Sequence, residues 1–285
     1  MPLQYALEPH IKDLGGGFMV RRLLPSAQRQ AVGPFVFFDH FGPVTSQPGD
    51  NHDVRPHPHI GLSTVTYLFE GAMMHRDSLG VVQRIEPGAI NWMTAGKGIV
   101  HSERTPDDLR QKVSVSHGLQ LWCALPEALE DCEPSFVHTP AADIPAVSGE
   151  GFSARVMVGA MFGVTSPVKP LSPTLYIDVQ AEAGHVLTLE ADAHERAIYV
   201  LGDAIDVDGT ALAPFTLGVL TNAAAQISAP TGSHYVIVGG EPLGHRHMVW
   251  NFVSSSKDKI EAAKAAWRAG TMGQVPGETE FIPLP

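Results

Sequence analysis

Cysteine is scarce: Cys123 and Cys132 are the only two in 285 residues, and they form no Cys-x-x-Cys pair. Two thiols placed this way build neither a zinc site nor a disulfide framework, and they fit a reducing compartment. Long hydrophobic runs are missing too. No stretch approaches the ~18 uncharged apolar residues of a membrane-spanning helix. The opening Met1-Pro2-Leu3-Gln4-Tyr5-Ala6-Leu7-Glu8 lacks the basic region and long apolar stretch of a signal peptide. The expected location is therefore cytoplasmic, with no membrane partner. Positive charge is in deficit: 19 Lys and Arg face 30 Asp and Glu, a net charge of -11. A general binder of nucleic-acid phosphates presents a basic face, and Arg21-Arg22 is too small a patch to make one. Direct nucleic-acid binding is not expected.

What is present points to a folded, strand-rich chain. Hydrophobic residues make up 44% and charged residues 17%, a balance that builds cores and argues against disorder. Glycine and proline, 28 and 23 of them, recur at short intervals and favour many short strands over helices. Strand-like runs occur at 17–24, 34–41, 62–69, 89–93, 118–125 and 154–159. In the fifth run Leu119, Leu121 and Cys123 alternate onto one face. Residues 126–150, rich in Pro, Glu, Asp and Ala, read as a connection.

A weak internal repeat divides the chain. Thr66-Tyr67-Leu68-Phe69-Glu70-Gly71 resembles Ile198-Tyr199-Val200-Leu201-Gly202-Asp203, and each is followed by a glycine turn and a histidine, His101 and His234. The expected layout is a small β-barrel over 1–125, a connection over 126–150 and a second barrel over 151–285 that carries the C-terminal helix and tail. That helix spans 256–270, with Ser254 to Ser256 able to cap its start and Gly270 to stop it. Ile260, Ala263 and Trp267 share one face that can dock on a barrel. The final Phe281-Ile282-Pro283-Leu284-Pro285 reads as a strapped-down tail.

Two segments carry the chemistry. Arg55-Pro56-His57-Pro58-His59 supplies a His-x-His pair, and Val100-His101-Ser102-Glu103 supplies His-x-Glu. On β-strands a period of two sends both members of each pair to one face, so neighbouring strands would aim four ligands at one point. Three imidazoles and a carboxylate suit Fe, Mn, Ni, Cu or Zn. An ion preferring six ligands would keep two positions for water, substrate or O2. The plain alternative is an exposed Pro-His-Pro-His turn and a surface Glu103. The flanking strand-like runs at 62–69 and 89–93, and the turn Gly96-Lys97-Gly98, favour the ligand reading. His194 and His234 have no paired motif and read as structural, and so does His245-Arg246-His247, which lacks a His-x-Glu partner.

Tandem barrels with these pairs resemble the cupin superfamily in its two-barrel form. The resemblance is closer to one family. The stretches 32–43, Arg55-Pro56-His57-Pro58-His59, Thr64-Val65-Thr66-Tyr67, 92–103 and His117-Gly118-Leu119-Gln120-Leu121-Trp122 are similar to the pirin family. Gly239-Gly240-Glu241-Pro242-Leu243 and 250–255 extend the likeness, in a form similar to bacterial pirins. The fold this implies is all-β, two tandem cupin barrels of the jelly-roll type with a short C-terminal helix. It further implies one mononuclear metal, usually Fe, on the residues matching His57, His59, His101 and Glu103. Pirins include quercetin 2,3-dioxygenases, which open flavonols with O2 and release CO, as well as regulators that dock a transcription factor or metabolic enzyme. Ser63 departs from the family pattern, which typically has a glutamate there, and Leu62 replaces a phenylalanine.

If the chain is such a dioxygenase, Glu103 is the expected general base for the flavonol 3-hydroxyl, acting in a monomer. Phe37, Phe41, Met74 and Trp92 are candidate substrate walls, or plain core. His75-Arg76-Asp77-Ser78 either reaches the pocket mouth or forms an exposed turn, the simpler expectation.

Overall fold

The computed structural model describes residues 2–14, 17–192 and 194–285, and within them the fold is built from short antiparallel strands and one α-helix. The chain divides into two compact units, each pairing a seven-stranded sheet with a four-stranded one. The expected all-β fold with two tandem cupin barrels is the fold observed.

The first unit comprises Met1–Ile11, Arg21–Phe38 and Ala142–Pro242. Its large sheet runs Leu3–Leu7, Leu217–Leu220, Glu195–Val200, Ser233–Gly240, Thr174–Ala181, Phe152–Val158, Ala146–Gly149. Its small sheet runs His185–Leu189, Ala225–Ala229, Ile205–Val207, Thr210–Leu212. β-Branched and aromatic residues recur in these strands, as a pleated, half-buried surface favours. Ile177, Val179, Leu187, Ile198, Ile227, Tyr235 and Ile237 meet in one aliphatic core between the sheets.

The second unit comprises Lys12–Val20, Asp39–Ala141 and Leu243–Pro285. Its large sheet has the order Ser135–Thr139, Ile90–Thr94, Leu62–Glu70, Ser114–Ala124, Phe35–Ser46, Met19–Leu24, His10–Asp13. Its small sheet has the order Val54–His59, Ile99–Arg104, Met73–Asp77, Val82–Ile85. The strand expected at 62–69 is thus Leu62–Glu70, and the one at 89–93 is Ile90–Thr94.

Three expectations are corrected. The units are not consecutive segments split at 126–150. Leu3–Leu7 pairs with Leu217–Leu220, and within 126–150 lie Ser135–Thr139, which pairs with Ile90–Thr94, and Ala146–Gly149, which pairs with Phe152–Val158. The C-terminal helix and tail pack in the unit of the His-x-His segment, not in the second-half barrel, because the apolar partners of the helix are Ile60 and Phe252. The repeat also shifts: by sheet position Ile99–Arg104 corresponds to Ala225–Ala229, whereas His234 lies on the strand that corresponds to Ser114–Ala124.

The helix is Lys257–Arg268. The Ser256 side chain makes no capping bond; its amide donates instead to Ser254 Oγ at 3.1 Å. At the other end Gly270, in the left-handed region, donates to the Trp267 carbonyl and Thr271 donates to Ala266, a Schellman closure. Ile260 and Ala263 are buried against Ile60 and Phe252, with Trp250 and Trp267 at the edge. Trp267 Nε1 donates to the Ile282 carbonyl at 3.0 Å, and the Ile282 amide donates to the Pro56 carbonyl at 2.8 Å, so the tail is strapped across the helix to the His-x-His strand. No helix among the described residues is long and apolar enough to cross a membrane.

Ile260 is 2% exposed and central to this docking. Ile260→Ala is expected to cost about 2–4 kcal/mol, the range for emptying a buried aliphatic site. Chemical denaturation checks this, and an unchanged midpoint means that the helix is not held by that face.

Candidate metal centre

Register places the histidines. In the pairing of Val54–His59 with Ile99–Arg104, His57 faces His101 and His59 faces Ile99. Direct antiparallel partners share a face, and so do residues two apart on a strand. His57, His59 and His101 therefore converge inside the barrel, and their donor atoms lie within 4.8 Å of one another. All three are buried, at 6%, 1% and 2% exposure. The plain alternative of an exposed Pro-His-Pro-His turn does not hold.

Each imidazole uses one nitrogen for anchoring. His57 Nδ1 lies 2.9 Å from the Arg55 carbonyl, and His59 Nδ1 lies 3.1 Å from the Asn251 carbonyl. A carbonyl only accepts, so both Nδ1 atoms carry the proton and both Nε2 atoms keep a free lone pair. His59 Nε2 stands 3.1 Å from His101 Nε2. The unprotonated His59 Nε2 either accepts a hydrogen bond from His101 Nε2 or shares a cation with it. Two nitrogens bound at ~2.1 Å and at right angles to one ion would be about 3.0 Å apart, so the spacing fits a first-row divalent metal. Burial holds all three imidazoles in the neutral, ligating form: His57 is lowered to about 4, and His59 and His101 fall well below the usual value.

Glu103 sits two residues beyond His101, directly opposite His75 on the neighbouring strand. It is half-buried and does not enter the set of donor atoms within 4.8 Å. The register on the Val54–His59 side shifts between His101 and Glu103, which sets the carboxylate back from the imidazoles. With no compensating charge, burial raises its pKa to about 7.

The expected exposed turn at 75–78 is corrected. His75 and Asp77 lie on the strand Met73–Asp77, at 3% and 0% exposure. His75 Nδ1 is 3.3 Å from His101 Nδ1, and its Nε2 is 3.0 Å from Asp77 Oδ2. The signal was in the sequence: His75-Arg76-Asp77 is a third alternating pair. The aromatic neighbours also differ from those expected. Phe37 lies beneath the Arg22 guanidinium, and Phe41 packs with Val20, Leu68 and Ile85. Trp92 is buried on Ile90–Thr94. The rings that touch the site are Phe136, stacked on His75 at 4.2 Å, and Trp122, edge-on to His59 at 5.1 Å. Ser63 is 1% exposed and shares a hydrogen bond with the Thr94 hydroxyl at 3.0 Å. Clefts of about 450 and 560 Å³ occur elsewhere and include none of the three histidines in their walls.

In the first unit, His234 Nε2 meets Asp178 at 2.6 Å and His194 pairs with Asp192 at 3.0 Å, as structural residues would. Leu187 faces Ile227 in the small sheet, where His57 faces His101 in the other unit. His245 and His247 meet each other 3.3 Å apart at the surface.

Residues 17–123 match the Pirin family profile, and residues 176–273 match the Pirin C-terminal cupin domain. The chain is 46% identical over 280 residues to a pirin-like protein of Caulobacter vibrioides, with 96% of each chain covered. It is 39% identical over 262 residues to a Pseudomonas aeruginosa protein provisionally named quercetin 2,3-dioxygenase, covering 90% of this chain and 81% of that one. It also aligns with the crystal structure of quercetin 2,3-dioxygenase from Acinetobacter baumannii, with a TM-score of 0.91 and 34% identity over 99% of this chain and 94% of that one.

The buried titratable groups give the metal-free protein a distinctive pH dependence. Unfolded histidines protonate near pH 6.5, whereas His57 in the fold resists protonation down to about 4. Over that window the unfolded state binds more protons, so stability falls as the pH falls, by up to about 1.4 kcal/mol per pH unit for each histidine. Glu103 opposes this: it ionises near 4.5 unfolded and near 7 folded, so its contribution is lost as the pH rises through that range. Three histidines outweigh one carboxyl. The denaturation midpoint of metal-free protein should drop between pH 6.5 and 4.5, and a flat or rising midpoint contradicts buried, neutral imidazoles.

Proposed function

The chain belongs to the pirin family, and we propose that it is a metal-dependent dioxygenase that opens the heterocycle of flavonols such as quercetin with O2 and release of CO. The observation that carries this reading is the set of three buried imidazoles whose donor atoms lie within 4.8 Å of one another. In this reading His57, His59 and His101 hold one divalent ion per chain, and Glu103 is the fourth ligand. Fe is the expected ion, with Mn, Ni, Cu or Zn entering according to availability. The likeness to proteins named for quercetin 2,3-dioxygenase activity supports the substrate class.

A bound divalent ion would favour the deprotonated flavonol and give O2 access to a redox-active centre. The rest falls to the chain. Glu103 takes the proton of the flavonol 3-hydroxyl, acting as the general base beside the ion. The Arg55 and Asn251 carbonyls keep the imidazole lone pairs pointed inward. Ser102 Oγ donates to Glu278 Oε1 at 2.6 Å, and Arg104 binds the same carboxylate, so the strand carrying His101 and Glu103 is held on its outer side by the tail. Phe136 and Trp122 make the surroundings of the imidazoles apolar, which excludes competing water.

Glu103→Gln removes the charge and the base while keeping an oxygen ligand. Metal content, read by elemental analysis, should be partly retained, while quercetin-dependent O2 uptake drops by about 10²–10⁴-fold. His101→Ala should lower metal occupancy strongly, and His234→Ala should leave it intact. If fully iron-loaded protein consumes no O2 with quercetin, the enzyme reading fails. The alternative reading, a metal-binding regulatory protein that docks a protein partner, would then take its place.

A further inference from the structure

The hydrogen bonds of Asp77 run in one direction. Its Oδ1 accepts from the Leu79 amide at 2.9 Å and the Val81 amide at 3.1 Å. Its Oδ2 faces His75 Nε2 at 3.0 Å. A carboxylate only accepts, so His75 Nε2 carries a proton. In a neutral His75 the other nitrogen, Nδ1, is then a bare acceptor, and it lies 3.3 Å from His101 Nδ1. His101 must donate to it, which leaves His101 Nε2 with a free lone pair on the side of His57 and His59. Asp77, His75 and His101 are at most 3% exposed, so water does not compete for the bonds between them. Phe136, stacked on the His75 ring at 4.2 Å and 19°, resists a ring flip that would exchange the two nitrogens.

We propose that Asp77, acting through His75, sets the tautomer of His101, and that it is a positioning residue for the metal centre although it reaches neither metal nor substrate. The proposal rests on the reading of His57, His59 and His101 as the ligands. Its consequence is an inversion. In Asp77→Asn the amide oxygen must remain toward the Leu79 and Val81 amides, because they are donors. The amide nitrogen then faces His75 Nε2 and donates to it. His75 shifts its proton to Nδ1 and becomes the donor toward His101 Nδ1. His101 is left with its proton on Nε2, where it cannot ligate. One near-isosteric change would thus disable a ligand that Asp77 does not touch. The known behaviour of histidine partners in metal sites sets the expected scale at about 10–100-fold in affinity.

Two measurements test this. In metal-free, 15N-labelled wild type, NMR should show His101 protonated on Nδ1 and His75 on Nε2, and Asp77→Asn should reverse both. A wild-type His101 protonated on Nε2, or a doubly protonated His75 donating to it, overturns the proposal without any metal being involved. Co2+ then serves as the probe ion, with affinity from chelator competition and coordination from its visible spectrum. Asp77→Asn should bind about 10–100-fold more weakly than wild type. His75→Asn keeps an acceptor near His101 but cuts the link, so adding Asp77→Asn to it should cause no further loss. Equal losses from Asp77→Asn in both backgrounds would show that the effect is general destabilisation and overturn the proposal. Wild type that binds no Co2+ while showing the expected tautomers would sink the ligand reading and leave the tautomer inference standing.

Discussion

The pairing of Val54–His59 with Ile99–Arg104 is the constraint on which the rest of the site depends. A slip of one residue in either strand would turn its histidines from the barrel interior to the outside and part His57 from His101, since side chains alternate with period two. The prolines explain how such a strand is tolerated. Pro56 and Pro58 have no amide to donate, and Val54–His59 lies at the edge of its four-stranded sheet, where missing donors cost least. The edge is also covered, because the Ile282 amide occupies the Pro56 carbonyl. An edge that is proline-rich and strapped cannot recruit another strand. The same alternation that puts the two prolines on one face of the strand puts the two imidazoles on the other.

The two units show one topology filled in two ways. Sheet order matches strand for strand, with His185–Leu189 and Ala225–Ala229 standing where Val54–His59 and Ile99–Arg104 stand in the other unit. In the first unit that interior is aliphatic, and Leu187, Leu189, Ala225 and Ile227 belong to its main core. Burying aliphatic side chains stabilises a barrel at roughly 25 cal/mol per Å². Burying three imidazoles does not, unless each polar nitrogen finds a partner. The unit with the histidines must therefore gain its stability elsewhere, and the helix seated on Ile60 and Phe252 is one such source.

Much of this was legible in the residues, and the failures have physical causes. Alternation in His57-x-His59 and His101-x-Glu103 located the strands that bring the three histidines together, because period two is a local property. Strand runs such as Leu62–Glu70 and the helix Lys257–Arg268 were legible for the same reason, through β-branched content and a 3.6-residue face. Partner choice is not local. Nothing in Leu3–Leu7 says that it will pair with Leu217–Leu220, and nothing in the helix says which barrel offers Ile60 and Phe252. His75-x-Asp77 shows a third failure. The motif was visible, but a short polar segment between glycine turns has the composition of an exposed hairpin, and only pairing with Ile99–Arg104 buries it.

The three histidines also depend on three different parts of the chain. His57 is anchored locally by the Arg55 carbonyl, and His101 by the hairpin strand that carries His75. His59 is anchored by the Asn251 carbonyl, 192 residues further along. That last anchor is held in turn by Glu130, whose buried carboxylate accepts from Ser254 Oγ at 2.8 Å and from the Ser255 amide at 2.8 Å. Arg246 approaches the same carboxylate at 3.1 Å. A buried carboxylate is stable only with such donors around it. The segment after Leu243 is thus more than a cap on a finished barrel. It supplies the acceptor that fixes the His59 tautomer and the apolar face that packs on Ile60, the residue after that ligand. Residues 1–125 contain every proposed ligand, yet they do not make a self-contained metal module, because one ligand is oriented by the far end of the chain.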